Sequence, residues 1–207
     1  LSSRAASATL LDPMTGLTGV AATRRTGQGV EVYLQLAPGA SIFVRTASTQ
    51  VAGARWRYFS SAPSAAAIQG TWKVSFVDGG HSLPPAYAVS SLASWTESGA
   101  AAQSFAGTAL YSIRFDVPSA AGAWALDLGD VRESARVRVN GRDAGVLIAP
   151  PFRVVLAGLK PKDNLLEIEV TNTSANRLRD LDIRKAPWKI FHDINIVNLD
   201  YKPLEPA

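Results

Sequence analysis

Residues 109–117 read A-L-Y-S-I-R-F-D-V, and this stretch decides the fold class. In an extended chain Leu110, Ser112, Arg114 and Asp116 share one face, and Tyr111, Ile113, Phe115 and Val117 the other. A period-two alternation of this kind is what a strand needs when only one side is covered by a core. Pro118 ends the strand, because proline brings no N–H to the ladder.

The same pattern recurs on both sides of it. Toward the C-terminus, residues 124–128 bring Trp124, Leu126 and Leu128 together. Residues 135–139 turn Ala135, Val137 and Val139 inward and Arg136 and Arg138 outward. Asn140-Gly141 is a tight-hairpin dipeptide. Residues 152–156, 164–171 and 194–201 are further strand-like runs. Toward the N-terminus, G-T-W-K-V-S-F-V at 70–77 alternates and stops at Asp78-Gly79-Gly80. V-E-V-Y-L-Q-L at 30–36 and residues 41–46 flank Pro38-Gly39, which reads as a hairpin connection. No long segment keeps a 3.6-residue period. The chain therefore reads as all-β, an antiparallel β-sandwich of the jelly-roll kind.

Composition sets outer bounds. The 207 residues are 47% hydrophobic and 18% charged, enough for a packed core and against wholesale disorder. No apolar run reaches the roughly 18 residues that span a bilayer. With no Cys there is no disulfide scaffold, thiol nucleophile or Cys-based zinc site, and the two histidines, His81 and His192, lie far apart. The net charge of +4 favours acidic partners only weakly. Neither G-x-G-x-x-G nor a P-loop is present, and no G-x-S-x-G nucleophile elbow, so nucleotide binding and a hydrolase triad lack support. Nucleic acid and membrane are not expected partners. The chain opens at Leu1 with no basic stretch leading into an apolar one, and reads as a fragment or processed product.

The small-residue run S-S-A-P-S-A-A-A-I at 60–68 reads as a linker. It separates residues 1–59, a β extension or remnant of a preceding β domain with too few strands to close a core, from a jelly-roll domain over 69–207. Residues 174–191 read as a long connection between two strands, and such loops are usually functional or held by their own contacts.

Several of these pieces carry a resemblance. G-T-A-L-Y-S-I-R-F-D-V-P (107–118), L-D-L-G-D-V (126–131), A-R-V-R-V-N-G-R-D-A-G (135–145), P-P-F-R (150–153) and N-L-L-E-I-E-V-T-N (164–172) together resemble the sugar-binding jelly roll of β-galactosidase and β-glucuronidase type glycoside hydrolases. N-R-L-R-D-L-D (176–182) and W-K-I-F-H-D-I-N-I-V (188–197) resemble the C-terminal end of glycoside hydrolase family 106, bacterial α-L-rhamnosidases. V-Y-L-Q-L-A-P-G (32–39), G-T-W-K-V-S-F (70–76) and S-W-T (94–96) agree with it. The resemblance implies a galactose-binding-like accessory region, not the family's catalytic (β/α)8 barrel. The chain shows no βαβα alternation, and 207 residues cannot hold both barrel and sandwich, so the family's catalytic residues are carried to no position here. It further implies a non-catalytic module for rhamnose-containing or pectic glycans, partnered by a parent catalytic domain and located in the periplasm or outside the cell.

The candidate site follows in the 176–192 segment. Glycoside hydrolysis needs two carboxylates roughly 5–9 Å apart. Asp180 and Asp182 would share a face at about 7 Å if the segment were extended. Arg177, Arg179 and Arg184 surround them and favour the ionised form, opposite to the shift a general acid needs. Two readings stay open: an Arg/Asp network bracing the loop, or a polar site for sugar hydroxyls, with Asn176 in either. Trp188 is either a stacking platform for a sugar ring or a plug onto the core. Trp95 either lines the same rim or caps the sandwich. Trp72 and Trp124 read as core, and Trp56 as a basic–aromatic patch or part of a strand. His192, where the final strand begins, reads as a hydrogen-bonded structural residue rather than a base, and as a candidate ligand contact at the end of the loop. No cofactor is required. A structural calcium ion is compatible with Asp78, Asp116, Asp127, Asp130, Asp193 and Asp200, although no cage spacing is present.

Overall fold

A computed structural model describes residues 5–27, 29–60, 65–120 and 122–188. The expected strand at 194–201, together with His192, Asp193 and Asp200, lies outside the described residues. The chain divides into two compact units, Leu1–Ala67 and Ile68–Ala207.

In the second unit alternation becomes layering. Strands β6 (Trp72–Asp78), β7 (Tyr87–Val89), β8 (Thr108–Phe115), β10 (Ser134–Val139), β11 (Arg142–Leu147) and β13 (Asn164–Thr171) form one antiparallel sheet, in the order β11-β10-β13-β8-β6-β7. β9 (Ala123–Asp127) and β12 (Arg153–Ala157) pair separately. The inner faces supply the core. β8 buries Ala109, Tyr111, Ile113 and Phe115, as its alternation requires. β13 adds Leu166 and Ile168, β10 adds Ala135, Val137 and Val139, and β6 adds Trp72, Val74 and Phe76. Val154 and Leu156 of β12 join the same core, with Trp124 and Leu126 of β9 packed against it. Each large side chain so buried contributes about 1.5–3 kcal/mol, and this is the force that holds the layers. The all-β antiparallel sandwich is the observed fold.

The outward positions are polar and paired. Arg138 meets Glu169 across β10–β13 at 2.7 Å, and Arg136 meets Asp143 across β10–β11 at 2.6 Å. Asp127 and Arg153 face each other across β9–β12 at 2.7 Å. The Gly129 N–H and then the Arg153 guanidinium hold the Asp127 carboxyl below the usual carboxylate range. Asn140 (φ 52°) and Gly141 (φ 75°) form the two-residue turn between β10 and β11, with Val139 opposite Arg142. Both positions are left-handed, which is why Asn-Gly is the suitable dipeptide.

The first unit is built differently from the sequence expectation. Its described residues hold five strands, not two: β1 (Ser7–Leu11), β2 (Thr18–Val20), β3 (Thr23–Thr26), β4 (Gly29–Val32) and β5 (Phe43–Ala47). β2-β1-β5 form one antiparallel sheet and β3-β4 a hairpin. Ala8, Leu10 and Ala21 form its core cluster, with Val32, Ile42, Val44 and Trp56 packed against it. Pro38-Gly39 does not close a hairpin, because β5 pairs with β1 (Leu10 opposite Val44) and β4 with β3. Alternation marks a strand but does not choose its partner. The run at 30–36 stays a strand only to Val32. Beyond it, side chains replace the ladder. The Tyr58 hydroxyl donates to the Tyr33 carbonyl (3.1 Å), and the Gln35 amide donates to the Phe59 carbonyl (2.6 Å) and accepts the Phe59 N–H (2.8 Å). Among the described residues, no helix is long and apolar enough to cross a membrane.

Candidate functional site

Residues 174–191 are not simply a loop: Ala175–Ile183 form helix α2. Local chemistry explains it. Thr173 Oγ1 accepts the Ala175 N–H at 3.4 Å, and the Leu178 N–H reaches the Ser174 carbonyl at 3.0 Å. Leu178 and Leu181 stand one turn apart, among Arg and Asp residues that extend from a helix without crowding it. The end is a Schellman arrangement. Lys185 sits at φ 55°, its N–H bonding the Asp182 carbonyl (2.9 Å), and the Ala186 N–H bonds the Leu181 carbonyl (2.9 Å). Pro187 then prevents continuation.

The helix changes what Asp180 and Asp182 can do. Two positions apart at about 100° per residue, they point roughly 200° away from each other and do not share a face. Asp180 pairs with Arg184 one turn on, at 2.5 Å. Asp182 is buried and accepts the Trp188 Nε1–H at 3.1 Å. That bond folds Trp188 back over the helix end and fixes the plane of its half-buried indole. Arg177 and Arg179 are half-buried, and neither makes an ion pair among the described residues. Asn176, expected at the ligand, donates to the Phe105 carbonyl at 3.3 Å. Asn172 donates to that carbonyl at 3.0 Å and accepts the Gly107 N–H at 2.8 Å. The two amides tie the start of α2 to the corner before β8. Nothing local in the sequence marks the partner of Asn172.

Trp95 is corrected from a rim residue to a core one. It opens a 3-10 turn (Trp95–Ser98) followed by the short helix α1 (Ala100–Gln103), and is only 6% exposed. Its ring packs edge-on against Phe76 (5.7 Å) and Phe105 (6.0 Å), and no sugar can reach its face. Of the two readings for Trp95, the capping one holds. Trp72 is buried, and Trp124 packs on the core with its Nε1–H on the Ser119 carbonyl (2.9 Å). Among the described residues, no three carboxylate or imidazole groups converge on a cation position. Asp116 accepts the Asp163 N–H (2.8 Å), and Asp130 pairs with Arg132 (2.9 Å).

No family model matches the chain. A rhamnosidase from Novosphingobium sp. PP1Y has a similar structure: TM-score 0.70 and 30% identity, covering 87% of this chain and 17% of that protein. A provisionally named β-glucuronidase from Formosa agariphila is 34% identical over 124 residues, 57% of this chain and 11% of that one. The chain is thus similar to a β-sandwich segment of glycoside hydrolases. It spans 17% and 11% of the two proteins, and in each the greater part of the molecule lies outside the match.

Proposed function

We propose that the chain is a non-catalytic accessory domain of a rhamnosidase-type glycoside hydrolase, akin to the C-terminal region of family 106. It would hold a rhamnose-containing or pectic glycan beside the catalytic part, in the periplasm or outside the cell. The observation that carries this reading is the likeness to the Novosphingobium rhamnosidase, at 30% identity over 87% of the chain. The disposition of the carboxylates supports the non-catalytic half. One is neutralised by Arg184, the other is buried against Trp188, and they diverge around a helix. The binding half is supported by the end of α2, where the Trp188 indole is half-buried and bonded to Asp182 and Arg177 and Arg179 are half-buried without an ion pair among the described residues; in this reading the ring stacks on a sugar and the guanidinium groups bond its hydroxyls. No cofactor is part of this reading.

Calorimetry of the whole chain with rhamnose-containing oligosaccharides tests it. A shallow stacking site gives weak affinity, on the order of micromolar to millimolar. Trp188→Ala abolishes that affinity, and a chromogenic rhamnoside is not turned over. Absence of heat with every rhamnose-containing or pectic ligand refutes the binding reading. A second reading, a domain that only supports the catalytic part, is favoured by the exposure of Val146 (56%) on edge strand β11 and Ile148 (68%) just after it. That reading predicts no glycan affinity at all.

A further inference from the structure

The positive charge of the chain is not spread over it. The Leu1–Ala67 unit carries six arginines against two acidic residues, whereas the remainder balances at fifteen against fifteen. The whole net charge of +4 therefore belongs to the smaller unit. Both of its acidic residues are engaged: Glu31 pairs with Arg24 at 2.6 Å, and Asp12 accepts the Met14 N–H and the Thr15 hydroxyl, each at 2.8 Å. Arg25, Arg45, Arg55 and Arg57 are exposed, and none makes an ion pair among the described residues.

Register places two of these cations on one sheet. Arg45 of β5 is opposite Thr9 of β1, Thr9 is opposite Val20 of β2, and Val20 bridges Arg55 in parallel. Residues that face each other across strands project from the same side, so this row is one line across the sheet. At about 4.8 Å per strand, Arg45 and Arg55 stand about 14 Å apart at its two margins. The adjacent row on that side is Phe43–Leu11–Thr18, in which Phe43 is 65% exposed. Ala8 and Leu10 occupy the opposite, core-facing side. Residues 49–51 close one end of the outer side through Ser7, which donates to the Thr49 carbonyl (2.8 Å) and accepts the Val51 N–H (3.2 Å). Gly19 lets the Arg55 segment come this close: a Cβ there would lie 2.8 Å from the Trp56 N and Cα.

We propose that this outer face, with Arg45 and Arg55 at its margins and Phe43 beside Arg45, binds an anionic polysaccharide. Guanidinium groups recognise carboxylate or sulfate in a bidentate manner, and an exposed phenyl ring offers a face for sugar C–H groups. A sheet face with cations at both margins suits an extended polymer better than a compact ligand. The proposal rests on the accessory-domain reading for the choice of a glycan, but uses residues of the Leu1–Ala67 unit and neither α2 nor Trp188.

Affinity electrophoresis of the whole chain, in gels containing polygalacturonate, dextran sulfate or neutral dextran, tests it. The chain is retarded by a polyanion and not by dextran. Retardation in polygalacturonate alone assigns carboxylate, and in dextran sulfate alone sulfate. Because the arginines are exposed, it fades between about 0.05 M and about 0.5 M sodium chloride. The Arg45→Gln/Arg55→Gln double variant binds about tenfold more weakly while its melting temperature is unchanged. Trp188→Ala keeps the retardation, so loss of neutral-glycan binding in that variant and loss of polyanion binding in the double variant report separately. The proposal is overturned if the double variant is retarded like the parent, if Trp188→Ala removes retardation, or if neither polyanion retards the chain at low salt. Duplex DNA binding as tightly as both polysaccharides also overturns it, since the face would then read charge alone.

Discussion

Asn164 offers a sharp test of how the larger unit is held together. It is 0% exposed at the start of β13, opposite Phe115 at the end of β8. Its Oδ1 accepts the Lys160 N–H (2.9 Å) and the Asn140 Nδ2–H (3.0 Å). Its Nδ2 donates to the carbonyls of Lys160 (2.8 Å) and Phe115 (3.4 Å). Asn140 in turn accepts the Leu165 N–H at 3.0 Å. One side chain thereby joins the β10–β11 turn, the loop before β13 and the end of β8. Asn164→Ala removes three short bonds and one long one, and leaves Lys160 groups without partners. At about 0.5–1.5 kcal/mol per bond, with the penalty for stranded groups at the upper end, the loss is about 2–4 kcal/mol. For a unit of this size that lowers the melting temperature by roughly 10 °C. Urea unfolding followed by tryptophan fluorescence measures it directly. Asn164→Asp sets an oxygen against two carbonyls in a buried site, and its deficit should shrink as the pH falls and the carboxyl regains a proton. A stability loss in Asn164→Ala of less than about 0.5 kcal/mol, the range of ordinary surface substitutions, would refute the account of this corner.

Two further outcomes follow from particular positions. Gly79 has φ 120°, and a Cβ there would lie 2.5 Å from the Ala106 carbonyl oxygen and 2.6 Å from the Gly107 Cα; Gly79→Ala should cost about 2–4 kcal/mol and weaken the near-ultraviolet dichroism of the Trp95–Phe105 cluster, and a wild-type spectrum and midpoint would contradict this. Burial, then Tyr87, pushes the Tyr111 hydroxyl well above its usual range. The folded chain therefore keeps a proton that the unfolded one releases near pH 10, so stability present below pH 10 falls above it, by up to about 1.4 kcal/mol per pH unit. Urea midpoints at rising pH measure that slope, and Tyr111→Phe should flatten it; an equal slope in the variant rejects Tyr111 as its source.

The larger unit was legible because its strands are amphipathic. In β8 every second residue is apolar and buried, and in β13 buried and part-buried positions alternate from Asn164 to Glu169. Asn140-Gly141 named its own turn. The smaller unit was harder to read, because T-R-R-T (β3) and T-G-V (β2) carry no apolar alternation and form strands through their partners. Helix α2 carries little apolar periodicity because its nine residues hold few apolar positions, Leu178 and Leu181 foremost. Its signals were Thr173 and Ser174 before it and Pro187 after it. In that helix Asp180 and Asp182 lose the common face that an extended segment would give them. Trp95 and Trp188 show the limit for aromatic residues: local sequence gives both a loop, and only their partners, Phe76 and Phe105 for one and Asp182 for the other, separate a buried ring from a half-buried one held at the end of α2.

A proton NMR titration of the whole chain with a rhamnose-containing oligosaccharide bears most directly on the idea that this sandwich holds glycans without cleaving them. The indole N–H resonance of Trp188 should shift progressively with added sugar, while the anomeric signals of the oligosaccharide stay unchanged over many hours. New reducing-end signals would reveal a hydrolase, and an immobile Trp188 resonance at millimolar sugar would leave no glycan site at the end of α2.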